Sequence, residues 1–146
     1  MATIVEDLMS AKPLTLKETD DLGVARALLQ HQRIRHLPVV REEHLVGLVT
    51  SQTLLRADAQ LGPRLAAVQK VADVMVRDVH TVRRHTPARR AAKLLLTHQI
   101  GCLPVVEADG TLVGIVTDSD MVRFASDSAR DLDEVTSAIF RGHEDG

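Results

Sequence analysis

The sequence predicts a mixed α+β fold built twice, and three observations predict it. Leu37-Pro38-Val39-Val40 followed by Leu45-Val46-Gly47-Leu48-Val49-Thr50 reads as strand, tight turn, strand and helix start. Leu103-Pro104-Val105-Val106, the turn Asp109-Gly110 and Leu112-Val113-Gly114-Ile115-Val116-Thr117 say the same thing later in the chain. The third observation is the register of the duplication. At an offset of 66, Val5/Val71, Asp7/Asp73, Met9/Met75, Thr15/Thr81, Ala25/Ala91, Leu28/Leu94, Leu29/Leu95 and Ile34/Ile100 coincide. One extra residue enters near Asp109-Gly110, after which the offset is 67. Two copies are too few for a solenoid and suit a pseudo-twofold pair.

Each copy opens with a short helical turn, Ile4 to Met9 and Val71 to Met75, then a brief strand, Leu14 to Leu16 and His80 to Val82. A helix follows. Its apolar positions Ala25, Leu28, Leu29 and Ala91, Leu94, Leu95 fall at helical spacing and predict one buried face. Thr86 is the expected N-cap of the later helix, with Pro87 at its first position, where a missing N–H costs nothing. Thr19 or Asp20 is the expected cap of the earlier one. Two strands joined by a hairpin come next, and Asp109-Gly110 predicts a type I′ turn there. Pro38 and Pro104 fall near strand starts, where proline is tolerated. A helix opening at Thr50-Ser51 or Thr117-Asp118 closes each copy. The expected boundaries are 1–57 for the first repeat, 58–70 for a linker around Gly62-Pro63, and 71–127 for the second repeat. Residues 128–146 are expected to form an amphipathic helix (Leu132, Val135, Ala138 and Ile139 on one side) and a frayed end.

Composition excludes several functions. An apolar fraction of 45% in 146 residues supports a real core, while aromatics at 1% rule out stacked-base platforms for single-stranded nucleic acid. A net charge of −2 gives no global field to recruit nucleic acid or anionic lipid. Cys102 is the only cysteine, so no internal disulfide forms and a reducing, cytoplasmic setting is expected. No apolar run approaches the ~20 residues that span a bilayer, and the N-terminus has no signal-peptide pattern.

The chemistry concentrates at Thr117-Asp118-Ser119-Asp120. Free N–H groups at a helix start favour an anion there. Asp120, one turn in, offers two carboxylate oxygens to a pair of hydroxyl donors, at roughly 1.5–3 kcal/mol per charge-assisted bond. The competing reading is that Asp118, Ser119 and Asp120 only complement the helix dipole. The first copy carries Thr53 where the second has Asp120. Seven histidines show neither the i, i+4 pair nor the CxxC companion of a metal site, so no metal is expected. Cys102 reads as a buried, inert strand residue. The basic run Arg83-Arg84-His85 and Arg89-Arg90 reads as solvated helix surface. With no Walker loop, dinucleotide fingerprint or nucleophile elbow, no enzymatic activity and no required cofactor are expected.

Val-x-Asp-x-Met, Leu-Pro-Val-Val and Leu-Val-Gly-(Leu/Ile)-Val-Thr, in that order and twice, resemble the CBS-domain (cystathionine beta-synthase domain) family. The resemblance runs from Val5 to about Phe124 as a tandem pair, a Bateman module. It implies β-α-β-β-α repeats packed sheet to sheet about a pseudo-twofold axis, with two clefts that take adenosine-containing ligands: AMP, ADP, ATP, S-adenosylmethionine or dinucleotides. It also implies that each cleft is shared between copies. The main cleft would use Ile115, Thr117, Ser119 and Asp120, facing Lys12, Leu14, Ile34, Arg35 and His36. The second would use Thr50 and Thr53, facing Val79, His80, Ile100, Gly101 and Cys102. Without the carboxylate, the second cleft is expected to lose about 2–3 kcal/mol, roughly 30- to 150-fold in affinity.

The expected function is therefore a regulatory sensor for an adenosine ligand, homodimeric and acting on a partner protein, with no nucleic acid or membrane partner. The alternative is a structural dimerisation or docking module with no functional ligand.

Overall fold

The structure, a computed structural model, describes residues 2–127. The expected tail helix and frayed end at 128–146 lie outside the described residues. The elements in order are α1 (Val5–Leu8), β1 (Ser10–Ala11), β2 (Leu16–Lys17), α2 (Leu22–Gln32), β3 (His36–Arg41), β4 (His44–Thr50) and α3 (Ser51–Leu61). There follow α4 (Pro63–Ala67), α5 (Val71–Val74), α6 (Ala88–Thr97), β5 (Cys102–Val106), β6 (Leu112–Thr117) and α7 (Asp118–Asp127). The architecture is the α+β duplication that the repeat predicts.

The chain divides into two compact units. Of the described residues, one contains Pro13–Val79 with Gly110–Leu112; the other contains 2–12, His80–Asp109 and 113–127. In the first unit β2 runs parallel to β3, with Leu16 opposite Val39, and β3 runs antiparallel to β4, with His36 opposite Thr50. Leu16, Leu22, Leu37, Val39, Val49 and Val71 are fully buried there. Helix α2 contributes Leu22, Ala25 and Leu29, the stripe that helical spacing predicts. Each such aliphatic side chain contributes roughly 1.5–3 kcal/mol. In the second unit the sheet order is β1-β6-β5, and Val5, Ala91, Leu95, Leu103, Val105 and Val116 form its core.

Each repeat's leading segment belongs to the other repeat's body. Val5 N donates to Thr86 O at 2.8 Å, Glu6 N donates to Arg84 O at 2.9 Å, and Ser10 in β1 pairs with Ile115 in β6. Reciprocally, Val71 N donates to Asp20 O at 2.8 Å and Ala72 N to Glu18 O at 3.1 Å. Val76 and Leu48 exchange both backbone bonds at 2.9 Å. These leading segments, residues 1–12 and 71–79, act as exchanged arms.

Several local expectations are corrected. Thr86 does not cap α6: its hydroxyl accepts from Arg83 N at 3.0 Å in the preceding turn, and Pro87 is the extended N-cap residue. Asp20 is likewise spent on Lys17 N, so α2 starts after Asp21 without a side-chain cap. The type I′ turn falls in the first repeat and not at Asp109-Gly110. Glu42 and Glu43, the two residues between Arg41 and His44, both have positive φ (50° and 70°). In the corresponding loop of the second repeat only Gly110 has positive φ (92°), because the extra residue makes a longer loop. Pro38 and Pro104 stand third in their strands. The early strands are shorter than expected: Leu14 is exposed outside β2, and only Val82 of the 80–82 segment bridges, to Val105. Residues 58–70 are largely helical, with Ala66 fully buried. The brief strand β1 has no counterpart among the expected elements.

Candidate ligand-binding residues

Thr117 ends β6 and Asp120 lies in the first turn of α7. The two form a reciprocal cap. Asp120 Oδ2 accepts from Thr117 N at 2.8 Å and from Thr117 Oγ1 at 3.1 Å, while Asp120 N donates to Thr117 Oγ1 at 3.2 Å. Asp120 Oδ1 accepts from the Arg123 guanidinium. Asp120 is only 5% exposed, whereas the Arg123 side chain is 73% exposed. A carboxylate is thus fixed at a helix start, with one oxygen holding the helix and the other meeting a long solvent-facing cation.

The first repeat builds the same device from hydroxyls. Thr50 N donates to Thr53 Oγ1 at 3.1 Å and Thr53 N to Thr50 Oγ1 at 3.3 Å, with Thr53 buried. Both helix starts are capping boxes, a signal legible as Thr-x-x-Asp and Thr-x-x-Thr that the dipole reading passed over. Arg123, three residues past Asp120, was the other partner missed, although i, i+3 spacing points to it.

The remaining candidates fall in both units. Ile115 is buried and Ser119 exposed in the second unit. Lys12, exposed and left-handed (φ 51°), follows β1 there and its N–H reaches Val113 O at 3.5 Å. Leu14, Ile34, Arg35 and His36 belong to the first unit. His36 is paired in register with Thr50, and Arg35 O accepts from Ser51 N at 3.2 Å. Gly101 O accepts from Asp118 N at 3.1 Å, the equivalent bond. The structure therefore brings Arg35 and His36 to the Thr50–Thr53 box, and Gly101 and Cys102 to the Thr117–Asp120 box. Val79 lies in the first unit. His80 and Ile100 lie in the second, where the His80 ring stacks on His98 with centroids 3.8 Å apart.

Cys102 is buried, and burial, aided by the Asp118 charge, pushes its thiol up to about 12. At neutral pH it is a protonated, unreactive side chain. Among the described residues no group of three or more His, Cys, Asp or Glu is placed to hold a metal ion, and no helix is long and apolar enough to cross a membrane.

Comparison with known proteins agrees with this architecture. The CBS-domain family model matches residues 5–60 and 71–127. The chain belongs to the CBS-domain family, as a tandem pair. A protein from Vibrio cholerae described as an acetoin utilization protein (AcuB) is 38% identical, with a TM-score of 0.80 over 92% of this chain and 97% of that one. The CBS domain pair of MJ0100, solved with 5-methylthioadenosine and S-adenosyl-L-methionine, is 31% identical, with a TM-score of 0.78 over 88% of this chain and 100% of that one. CBSX2, solved with AMP, is 34% identical, with a TM-score of 0.76 over 85% and 96%. Curated relatives include homoserine O-acetyltransferase from Methanococcoides burtonii, 35% identical over 122 residues. Those residues are 83% of this chain and 24% of that protein, so the chain spans about a quarter of its length.

Proposed function

We propose that the chain is a non-catalytic regulatory module for an adenosine-containing ligand (AMP, ADP, ATP or S-adenosylmethionine), acting on a partner protein. The observation that carries this reading is the buried Asp120 carboxylate at the α7 start, whose second oxygen meets exposed Arg123 and no other side chain among the described residues. A ribose diol donating to that oxygen would replace the guanidinium, which is free to turn into water. AMP in CBSX2 and the adenosyl ligands of MJ0100 support the ligand class. On this reading Ile115, Thr117, Ser119 and Asp120 serve the stronger site, with Lys12, Gly101 and Cys102 in the same unit. Thr50 and Thr53 serve the weaker one, with Ile34, Arg35 and His36 in the same unit. A cytoplasmic homodimer is the form in which we expect it to work. Ligand acts on the partner only through its differential affinity for two states of the module.

A second reading is favoured by the same cap: both Asp120 oxygens are already satisfied, one by Thr117 and the other by Arg123. The module would then dimerise or dock without ligand. A thermal-shift panel of AMP, ADP, ATP and S-adenosylmethionine decides, run on wild type and Asp120→Asn, which keeps a cap acceptor. At 100 times its dissociation constant a ligand stabilises by about 2.7 kcal/mol, or several degrees. A shift present in wild type and lost in the variant supports the sensor; no shift with any compound supports the docking module.

A further inference from the structure

From Val79 through Val106 the chain contains no Asp or Glu, yet it carries Arg83, Arg84, Arg89, Arg90 and Lys93. Arg84 is engaged by Glu6 and Glu107. The other four are solvent-exposed and make no ion pair among the described residues. Four of the five acids on the two helices packed against α6 are committed elsewhere, and the fifth, Asp127, is the last residue of α7. On α1, Glu6 holds Arg84 and Asp7 accepts from Ile4 N; on α7, Asp118 accepts from Ser119 N and Asp120 from Thr117.

This arrangement breaks local rules. Arg89 and Arg90 occupy the first turn of α6, where the positive end of the helix repels cations, and no acid accompanies them. Lys93 lies four and three residues beyond them, so like charges are neighbours on one face. The duplication supplies an internal control. At the offset of 66 the same positions of α2 are Gly23, Val24 and Ala27, and Val24 and Ala27 are exposed. The scaffold therefore forms this helix without charge there. A face that strains its own helix and is absent from the twin helix points to a binding role.

We propose that the exposed face of α6, with Arg83 and His85 in the turn before it, docks an acidic segment of a partner protein. A short acidic peptide fits better than nucleic acid. The basic patch extends over only a ten-residue helix, about 15 Å long, and exposed Glu6 and Asp7 beside its start repel a long polyanion. The two phenylalanines of the chain, Phe124 and Phe140, lie outside this helix, so the patch has no aromatic side chain of its own to engage bases. The inference is independent of the adenosine reading.

The test uses the full chain and a fluorescein-labelled peptide of about eight glutamates, long enough when extended to cover the patch. Fluorescence anisotropy is followed at low and at physiological salt, because a surface charge interaction weakens with screening. Arg89→Ser, Arg90→Val and Lys93→Ala together should weaken peptide binding about tenfold or more and leave the melting temperature unchanged or higher. Arg89→Lys with Arg90→Lys should keep binding. The proposal is overturned if the peptide does not bind at low salt, or if the triple variant binds it equally. A melting temperature several degrees lower in the triple variant overturns it too, since the face would then be structural. Tighter binding of an oligothymidylate of equal charge would replace the acidic protein by nucleic acid.

Discussion

Met9 lies directly over Gly114: a Cβ built on that glycine would stand 2.6 Å from the Met9 Sδ and 3.0 Å from Ser10 O. The arm formed by residues 1–12 thus closes on a strand that has been kept bare to receive it. Gly47 makes the reciprocal contact, its Cβ position lying 2.8 Å from Met75 Cγ and 3.0 Å from Val76 O. Thioether side chains are adaptable, but the backbone oxygens behind them are not.

Gly47→Ala and Gly114→Ala are therefore expected to destabilise the protein by about 1–3 kcal/mol each, the range for overpacking a filled site. Urea denaturation of the two variants measures it. A change within a few tenths of a kcal/mol in either would show that the arm yields freely.

Glu42 and Glu43 hold left-handed backbone that a side chain adopts at a cost, and both are exposed. Replacing them with Asn and Gly, the pair that suits a two-residue type I′ turn, should stabilise by roughly 1 kcal/mol. A rise in melting temperature of a few degrees is the expected result, and a fall would mean that the glutamates contribute more than the turn does.

Cys102 gives a pH dependence with a definite sign. Its folded thiol is pushed up to about 12, above the ordinary value near 8.5. The unfolded chain therefore ionises first, and the stability contributed by the buried neutral thiol is complete below ~8.5 and lost as pH rises towards 12. Denaturation midpoints should fall more steeply above ~8.5 in wild type than in Cys102→Ala. At pH 8, iodoacetamide should modify the native chain far more slowly than the urea-unfolded one.

Thr53→Asp would give the first repeat the Thr-x-x-Asp box of the second. Thr53 and Asp120 are equally buried at equivalent caps, so the variant should fold with little change in stability, within ~1 kcal/mol. If Asp120 anchors the ligand as proposed, titration calorimetry with the compound found in the thermal-shift panel should show a gain of stoichiometry from one site towards two. Unchanged stoichiometry would argue that the carboxylate is only a cap.

What the sequence made legible was whatever repeats with a period. Ala25, Leu29, Ala91 and Leu95 fell on the buried helix faces because helical spacing is local information. The strand pairs around Gly47 and Gly114 were legible from their apolar runs, the turns between them and their duplication. The caps were not, because Thr86 and Asp20 each had two backbone N–H groups within reach and bonded to the one in the turn. The type I′ turn was missed because residue preference favours Asp-Gly, whereas loop length placed it at Glu42-Glu43. At the site, Thr117 and Asp120 are legible as a pair, but residue types alone do not show that they bond to each other. The arm exchange left no local trace: Val5 and Val71 look alike in sequence, and nothing in either says which body it will enter.

The exchanged arms also say something about ancestry. A single repeat standing alone could place its leading segment only on a second copy of itself, so closure would have been a bimolecular event that dilution undoes. Joining two copies in one chain made that reciprocal loan intramolecular and independent of concentration. It also leaves the two copies free to differ, one carrying threonine where the other carries aspartate, because neither has to recognise itself.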